Sequence, residues 1–242
     1  MDGTVLAGLS QQMATYSSLD VIANNLANMS TAGFKRDVNV FEQYLAAPSQ
    51  RGGAKNLTLV WNAGTARDLT PGTIETTGAS YDLGINGKGY FVVQTADGPR
   101  YTRNGHFSLD AQGRLVTAAG DPLQGEGGDI AITSEDGNVH IAGDGVVTGL
   151  KGQLGKVQLV QFDDEGAMTK QGANLYDTTQ QPQPATGATL VQGAIEGSNV
   201  EPVSEMSHML EVMRAYQTMT SLMQSHEDLK RQAMDKLATQ PT

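Results

Sequence analysis

Several stretches of this chain carry residue types that could do chemistry, and each fails on spacing. Gly84-Ile85-Asn86-Gly87-Lys88-Gly89 offers glycines for a phosphate cradle, but a dinucleotide fingerprint needs glycine three residues beyond Gly89, where Val92 stands. Gly149 to Val157 approaches a phosphate-binding loop around Gly155-Lys156. Leu150 occupies its glycine position, and Val157 stands where a Ser or Thr must hold the metal. The histidines His106, His140, His208 and His226 include no His-Glu-x-x-His zinc pair, because His226-Glu227 is followed by Lys230 where the second ligand belongs. No Gly-x-Ser-x-Gly elbow occurs, and with no cysteine there is no thiolate nucleophile, thiolate metal site or disulfide. Asp163-Asp164-Glu165-Gly166, the one dense carboxylate cluster, lacks calcium-loop spacing and reads as a solvated turn. A hydrolase resting on Asp163, Asp164 or Glu165 finds no second convergent group. The expectation is therefore no catalytic residue, no cofactor and no metal site.

Charge and hydropathy narrow the partners. Acidic residues outnumber basic ones 26 to 16, and no basic cluster is longer than Lys35-Arg36 or Lys230-Arg231, which leaves little for a phosphate backbone and predicts no nucleic-acid partner. No apolar run reaches the roughly 18 residues of a membrane span, so no membrane insertion is expected. The N-terminus has no basic segment followed by an apolar core, so any export must proceed without a cleavable signal peptide.

The elements that remain are two helices around a β-rich middle. From Thr4 to Asn28 the residues Val5, Leu9, Met13, Tyr16, Leu19, Ile22, Ala23 and Leu26 recur at three- and four-residue steps, one face of a helix. Asn28, Ser30, Thr31 and Gly33 then break it. Ser198-Asn199-Val200-Glu201 has capping-box form, with Pro202 allowed in a first turn, and predicts a second helix running to about Leu237. That helix carries two stripes, Met206, Met209, Met213, Tyr216, Thr220 and Met223, and beside it Val212, Ala215, Met219, Leu222, His226 and Leu229. One partner helix needs only the narrower seam, so further copies are expected to cover the rest. Between the helices, apolar and β-branched runs of four to six residues alternate with turn dipeptides such as Asp97-Gly98, Gln112-Gly113 and Glu165-Gly166. The clearest strands are 90–95, 106–109, 114–117 and 157–162, while 180–189 reads as a loop. The fold class is α+β, with the terminal helices paired as a coiled-coil stem and a central all-β domain of sandwich or open-barrel type. The domain limits are 1–34 plus 198–242 for the stem, 35–80 for an extended connector and 81–197 for the β-rich domain.

Ile22-Ala23-Asn24-Asn25-Leu26-Ala27-Asn28-Met29-Ser30-Thr31-Ala32-Gly33-Phe34-Lys35 resembles the signature of the flagellar rod and hook protein family. Its asparagines sit at helix-neighbour spacing, where amides can tie a helix end to an adjoining backbone. Two further blocks agree. Gly87 to Phe91 through Tyr101 to Phe107 and Gly113-Arg114-Leu115 is similar to the family's β segment, and Glu196 to Val200 with Arg214-Ala215-Tyr216 to its C-terminal helix. By length the chain falls between the smallest rod subunits and the hook protein, and its C-terminal block looks more like the proximal-rod class than the distal one.

The resemblance implies a structural subunit of the basal-body rod, assembling with copies of itself and other rod proteins into a helical, torque-carrying tube around an export channel. It further implies export through the flagellar type III apparatus and a place in the rod that crosses the periplasm. The implied assembly interface comprises Val5, Leu9, Met13, Tyr16, Leu19, Ile22, Asn24, Asn25, Leu26, Asn28 and Phe34, with Met206, Met209, Met213, Tyr216, Met219, Leu222 and Met223. The alternatives are a distal-rod or hook-type subunit of the same family, and a secreted β-rich binding module or adhesin with oligomerising helices. The latter does not explain the asparagine motif.

Overall fold

The computed structural model describes residues 3–46 and 57–238 of the 242. Among them the chain forms two compact units: a helical unit to Ala27, with Asp37–Ala66 and the segment from Glu201 onward, and a β unit of Asn28–Arg36 and Arg67–Val200.

In the helical unit, α1 (Gly3–Ala27) and α2 (Pro202–Ala238) are the predicted terminal helices, and they pack against each other. Gly8 is buried, and a β-carbon there would already touch Met223 at 3.6 Å, so a small residue lets the helices close in. Helix α2 begins later than the capping-box reading placed it. The Ser198 hydroxyl accepts from the Val200 amide instead of from Glu201, and Pro202, whose fixed φ suits a first turn, opens the helix.

Two strands belong to the same unit, β1 (Asp37–Ala46) and β2 (Leu57–Arg67), paired as a two-stranded sheet. They lie in the stretch expected as an extended connector, where the alternation of Val38 with Val40 and of Leu57 with Leu59 is the period of a strand. The turn of the hairpin lies outside the described residues.

The β unit is built from short antiparallel strands. A hairpin of β5 (Tyr90–Thr95) and β6 (Gly98–Thr102) turns at Ala96-Asp97, one residue before the expected Asp97-Gly98, and centres a six-stranded sheet. Strand 159–161 lies beside β5, with 183–184 beyond it at the edge. That edge runs through the segment read as a loop, and Pro184 is tolerated there because an edge strand need not donate on both sides. All four residues Tyr90 to Val93 are buried, so the period of two divides them between opposite faces. Phe91 and Val93 join Leu83, Leu115, Leu123, Ile130 and Val147 in one apolar cluster, whereas Tyr90 and Val92 join Tyr101, Val160, Phe162 and Tyr176 in another. The strand is clad on both sides, and the rings meet edge-on, with Phe91 to Phe107 at 5.2 Å and Tyr101 to Phe162 at 4.7 Å.

Two more strands, β3 (Ile74–Thr76) and β4 (Leu83–Asn86), are paired by the end of the unit. Residues 189–192 lie against β4 and 194–196 against β3, so sequence more than 100 residues distant closes the fold. Close backbone approach is needed at Gly105, whose amide oxygen accepts from Leu83; a β-carbon would lie 1.7 Å from the Leu83 oxygen.

Gly105→Ala is therefore expected to cost about 1–3 kcal/mol or more by forcing two strands apart. Gly127→Ala, at a site with nothing within 4 Å, should stay within about 1 kcal/mol of the parent. Urea unfolding of the two variants side by side checks the contrast.

Candidate assembly surface

The helical unit leaves much of its apolar surface uncovered. Of the residues expected at an interface, Leu9, Met13 and Tyr16 on α1 and Met206, Met213 and Leu222 on α2 are exposed, with Met13 at 66% and Leu222 at 63%. Leu19, Leu26, Asn28, Met209, Tyr216, Met219 and Met223 are half-buried, and Asn24 is exposed. Ile22, Asn25 and Phe34 are buried within the single chain, so they offer no surface to a neighbour. The side chain of Val5 lies outside the described residues. Sequence reasoning missed Val203 and Leu210, which are 74% and 56% exposed on α2. They continue a further line of three- and four-residue steps, Val203, Met206, Leu210 and Met213, which shares only its methionines with the first stripe.

One asparagine of the motif, Asn25, is tied to an adjoining backbone by its side-chain amide. Within the helical unit the buried Asn25 donates through Nδ2 to the Asp37 carbonyl at 2.9 Å and accepts the Asp37 amide on Oδ1 at 2.9 Å, fixing the start of β1 to the end of α1. Within the β unit, Asn28 ends the helical path, its carbonyl accepting from the Thr31 amide and its side-chain oxygen from the Thr31 hydroxyl. Gly33 follows with φ +69°, and a β-carbon there would lie 2.4 Å from the Arg103 backbone.

Beyond Gly33, the β unit encloses a charged cluster that the sequence did not single out. Glu196 is fully buried and receives two cations, Lys35 Nζ on Oε1 at 2.6 Å and Arg103 Nε on Oε2 at 2.6 Å. The Gly72 amide also donates to Oε1, and the Gly33 amide donates to the Glu196 carbonyl at 2.7 Å. Remaining donors are spent on carbonyls: Lys35 on Thr70, Arg103 Nη1 on Gly89 and Nη2 on Gly87. Burial pushes the Lys35 ammonium below the ordinary lysine value, against the pull of Glu196. Asn199 adds a second tie, accepting the Arg36 amide at 2.7 Å and donating to the Asp68 and Thr70 carbonyls. Lys35, Arg103, Glu196 and Asn199 all stand in the blocks that carry the family resemblance, which was the available signal. Their convergence was not readable, since 161 residues separate Lys35 from Glu196.

In the carboxylate turn, Asp164 accepts the Ala167 amide at its own short helical turn, and Glu165 accepts the Tyr90 hydroxyl at 2.8 Å. Among the described residues no three His, Asp or Glu side chains converge as a metal would need, and no helix is long and apolar enough to cross a membrane. The arrangement is one of backbone ties and apolar surface, suited to holding and joining.

Comparison with known proteins agrees with this picture along the chain. Residues 6–35 match the family model for flagella basal body rod proteins, 84–149 that for the D1 domain of flagellar hook protein FlgE/F/G, and 191–236 that for the C-terminal part of flagellar basal body rod FlgEFG proteins. The chain is similar to the flagellar basal-body rod protein FlgF of Caulobacter vibrioides, with 40% identity covering 98% of both chains. It is 37% identical to FlgG of Buchnera aphidicola over 83% of this chain and 86% of that one, and 30% identical to FlgF of Salmonella typhimurium over 94% and 95%.

Two outcomes follow for stability. Glu196→Gln removes the carboxylate that Lys35 and Arg103 share and should cost about 3–5 kcal/mol, read from denaturant midpoints. Asp68, Asp110 and Asp136 sit below the usual 3.8, held there chiefly by the Thr70 hydroxyl, the Arg114 amide and the Thr133 hydroxyl. Each binds its proton less readily folded than unfolded, so its contribution is complete above that value and lost as pH falls through the lower folded value. A stability profile that declines below about pH 4 is expected, and Asp68→Asn should shallow it.

Proposed function

The chain belongs to the flagellar basal-body rod protein family, and from that premise we propose that it polymerises through its helical unit into the torque-carrying axial rod. It is a structural subunit of that rod and acts in the flagellar basal body. It assembles with other rod components, copies of itself among them, around a channel for exported protein. On this reading it catalyses no reaction, spans the periplasm as part of the rod, and is exported by the flagellar type III apparatus without cleavage. The helices form a coiled-coil stem, and the β unit, with apolar clusters on both faces of β5, serves as a sandwich-like body. A 40% identity to a FlgF over nearly all of both chains, against 37% to a FlgG over 83% of this one, supports a place in the proximal rod.

The observation that carries the assembly reading is the exposure of Met13, Tyr16, Leu210 and Leu222 on paired helices. Monomeric proteins rarely leave contiguous apolar surface in water without using it to bind. The interface we assign is Leu9, Met13, Tyr16, Leu19 and Leu26 on α1 with Met206, Met209, Leu210, Met213, Tyr216, Met219, Leu222 and Met223 on α2. Torque transmission suits such packing, because close-packed interiors deform little under load.

Met13→Asp tests the assignment. At an exposed site it should change the stability of the isolated chain by no more than about 0.5 kcal/mol, yet bury an unpaired charge once neighbours pack on it. In a strain lacking the gene, the parent chain should restore swimming and a complete rod in electron micrographs, and the variant should restore neither. Normal swimming by the variant would remove Met13 from the interface.

A further inference from the structure

The dipeptide Asn-Gly occurs twice in the chain, as Asn86-Gly87 and as Asn104-Gly105. A glycine that follows an asparagine can bring its own amide nitrogen up to the side-chain carbonyl carbon, because no β-carbon stands in the way. The two pairs share this local chemistry, and their surroundings in the β unit distinguish them.

Asn104-Gly105 is held in place. Asn104 is half-buried and its Oδ1 accepts the His106 amide at 3.0 Å, the local closure that asparagine makes in turns. Gly105 is buried, and its carbonyl accepts the Leu83 amide at 2.9 Å. Asn86-Gly87 is open by comparison. Asn86 ends β4, Gly87 leaves the sheet with φ +110°, and Asn86, Gly87 and Lys88 are all exposed. Among the described residues no hydrogen bond holds the Asn86 side-chain amide. The backbone here nevertheless reaches the buried ion cluster, since Arg103 Nη2 donates to the Gly87 carbonyl at 3.0 Å and to that of Ile85 at 3.5 Å.

We propose that Asn86-Gly87 is a site of self-modification by deamidation, with water as the only co-reactant. The Gly87 nitrogen bonds to Asn86 Cγ and gives up its proton, the Cγ–Nδ2 bond breaks, and ammonia leaves with that proton as a cyclic imide closes. Water then opens the imide at Cγ to give aspartate, or at the Asn86 backbone carbonyl to give isoaspartate, whose main chain is longer by a carbon. Nothing is oxidised or reduced. The isoaspartyl link falls between the Ile85 and Gly87 carbonyls that share Arg103 Nη2, so it displaces an acceptor of the buried cation. The site does not depend on the rod-subunit reading.

To test this, the purified full chain is aged in mildly alkaline buffer, digested and mapped by mass spectrometry, with aspartyl and isoaspartyl peptides separated by chromatography. Conversion at Asn86 is expected to run at least about tenfold faster than at Asn104, a barrier difference of about 1.4 kcal/mol. The gap should vanish when the chain is aged in guanidinium chloride. Equal rates in the folded chain, a faster Asn104 or no conversion at Asn86 would overturn the site, and a gap that survives in denaturant would remove the fold as its cause. Asn86→Asp carries the new charge without the longer backbone, so it should keep the parent's urea midpoint while the isoaspartyl fraction unfolds at lower urea. An isoaspartyl fraction with the parent's midpoint would break the link to Arg103.

Discussion

A single buried carboxylate organises the β unit. Glu196 takes Lys35 on one oxygen and Arg103 on the other, each at 2.6 Å, while its own carbonyl accepts from Gly33. Without the carboxylate the two cations would be left uncompensated in a buried site, so both depend on Glu196 being in place. Because the partners come from residues 33–35, from the turn after β6 and from the strand 194–196, the cluster dictates that the two ends of the β unit close at one point. The closure is reinforced by Asn199, which binds the backbone of Arg36, Asp68 and Thr70. In chain order, Lys35 follows α1 by eight residues and Glu196 precedes α2 by six.

The helical unit answers to the opposite constraint. Its helices meet at a seam closed by Gly8 and by the Gln12–Tyr216 hydrogen bond, yet residues as large as Leu222 and Tyr16 stay in water. Helices gain most of their stability from the burial of an apolar face, and here part of that gain is withheld until something else packs on them. Methionine is the commonest apolar residue on α2, with Met206, Met209, Met213, Met219 and Met223 all exposed or half-buried. An unbranched, polarizable side chain fits irregular gaps, which suits a surface that must pack against neighbours that are not all identical.

Much of this was legible in the sequence because it is periodic. The three- and four-residue steps from Leu9 to Leu26 and from Met206 to Met223 gave both helices, and the Asp97-Gly98 turn signal with its flanking apolar runs gave the β5–β6 hairpin. Less legible was the β1–β2 pairing, because alternation at Val38 and Val40 and at Leu57 and Leu59 does not by itself say which runs pair. The start of α2 was misplaced because Ser198 has a nearer donor in Val200 than the one a capping box would use. The Glu196 cluster was beyond reach for a different reason: Lys35, Arg103 and Glu196 form no local pattern, and only the completed fold makes them neighbours.

The same comparison separates what makes the chain a member of its family from what directs its assembly. The signature residues Asn25, Gly33 and Lys35, and Glu196 and Asn199 near the other end, are engaged with the chain's own backbone or with one another. A residue buried in that way supplies a scaffold and has little left to offer a neighbour. The groups free to meet a neighbour, such as Leu9, Met13, Tyr16, Leu210 and Leu222, lie outside the asparagine motif. Subunits that share the scaffold can therefore differ in the partners they accept by changing these positions alone, since substitution on an exposed helix face leaves the closure at Glu196 untouched.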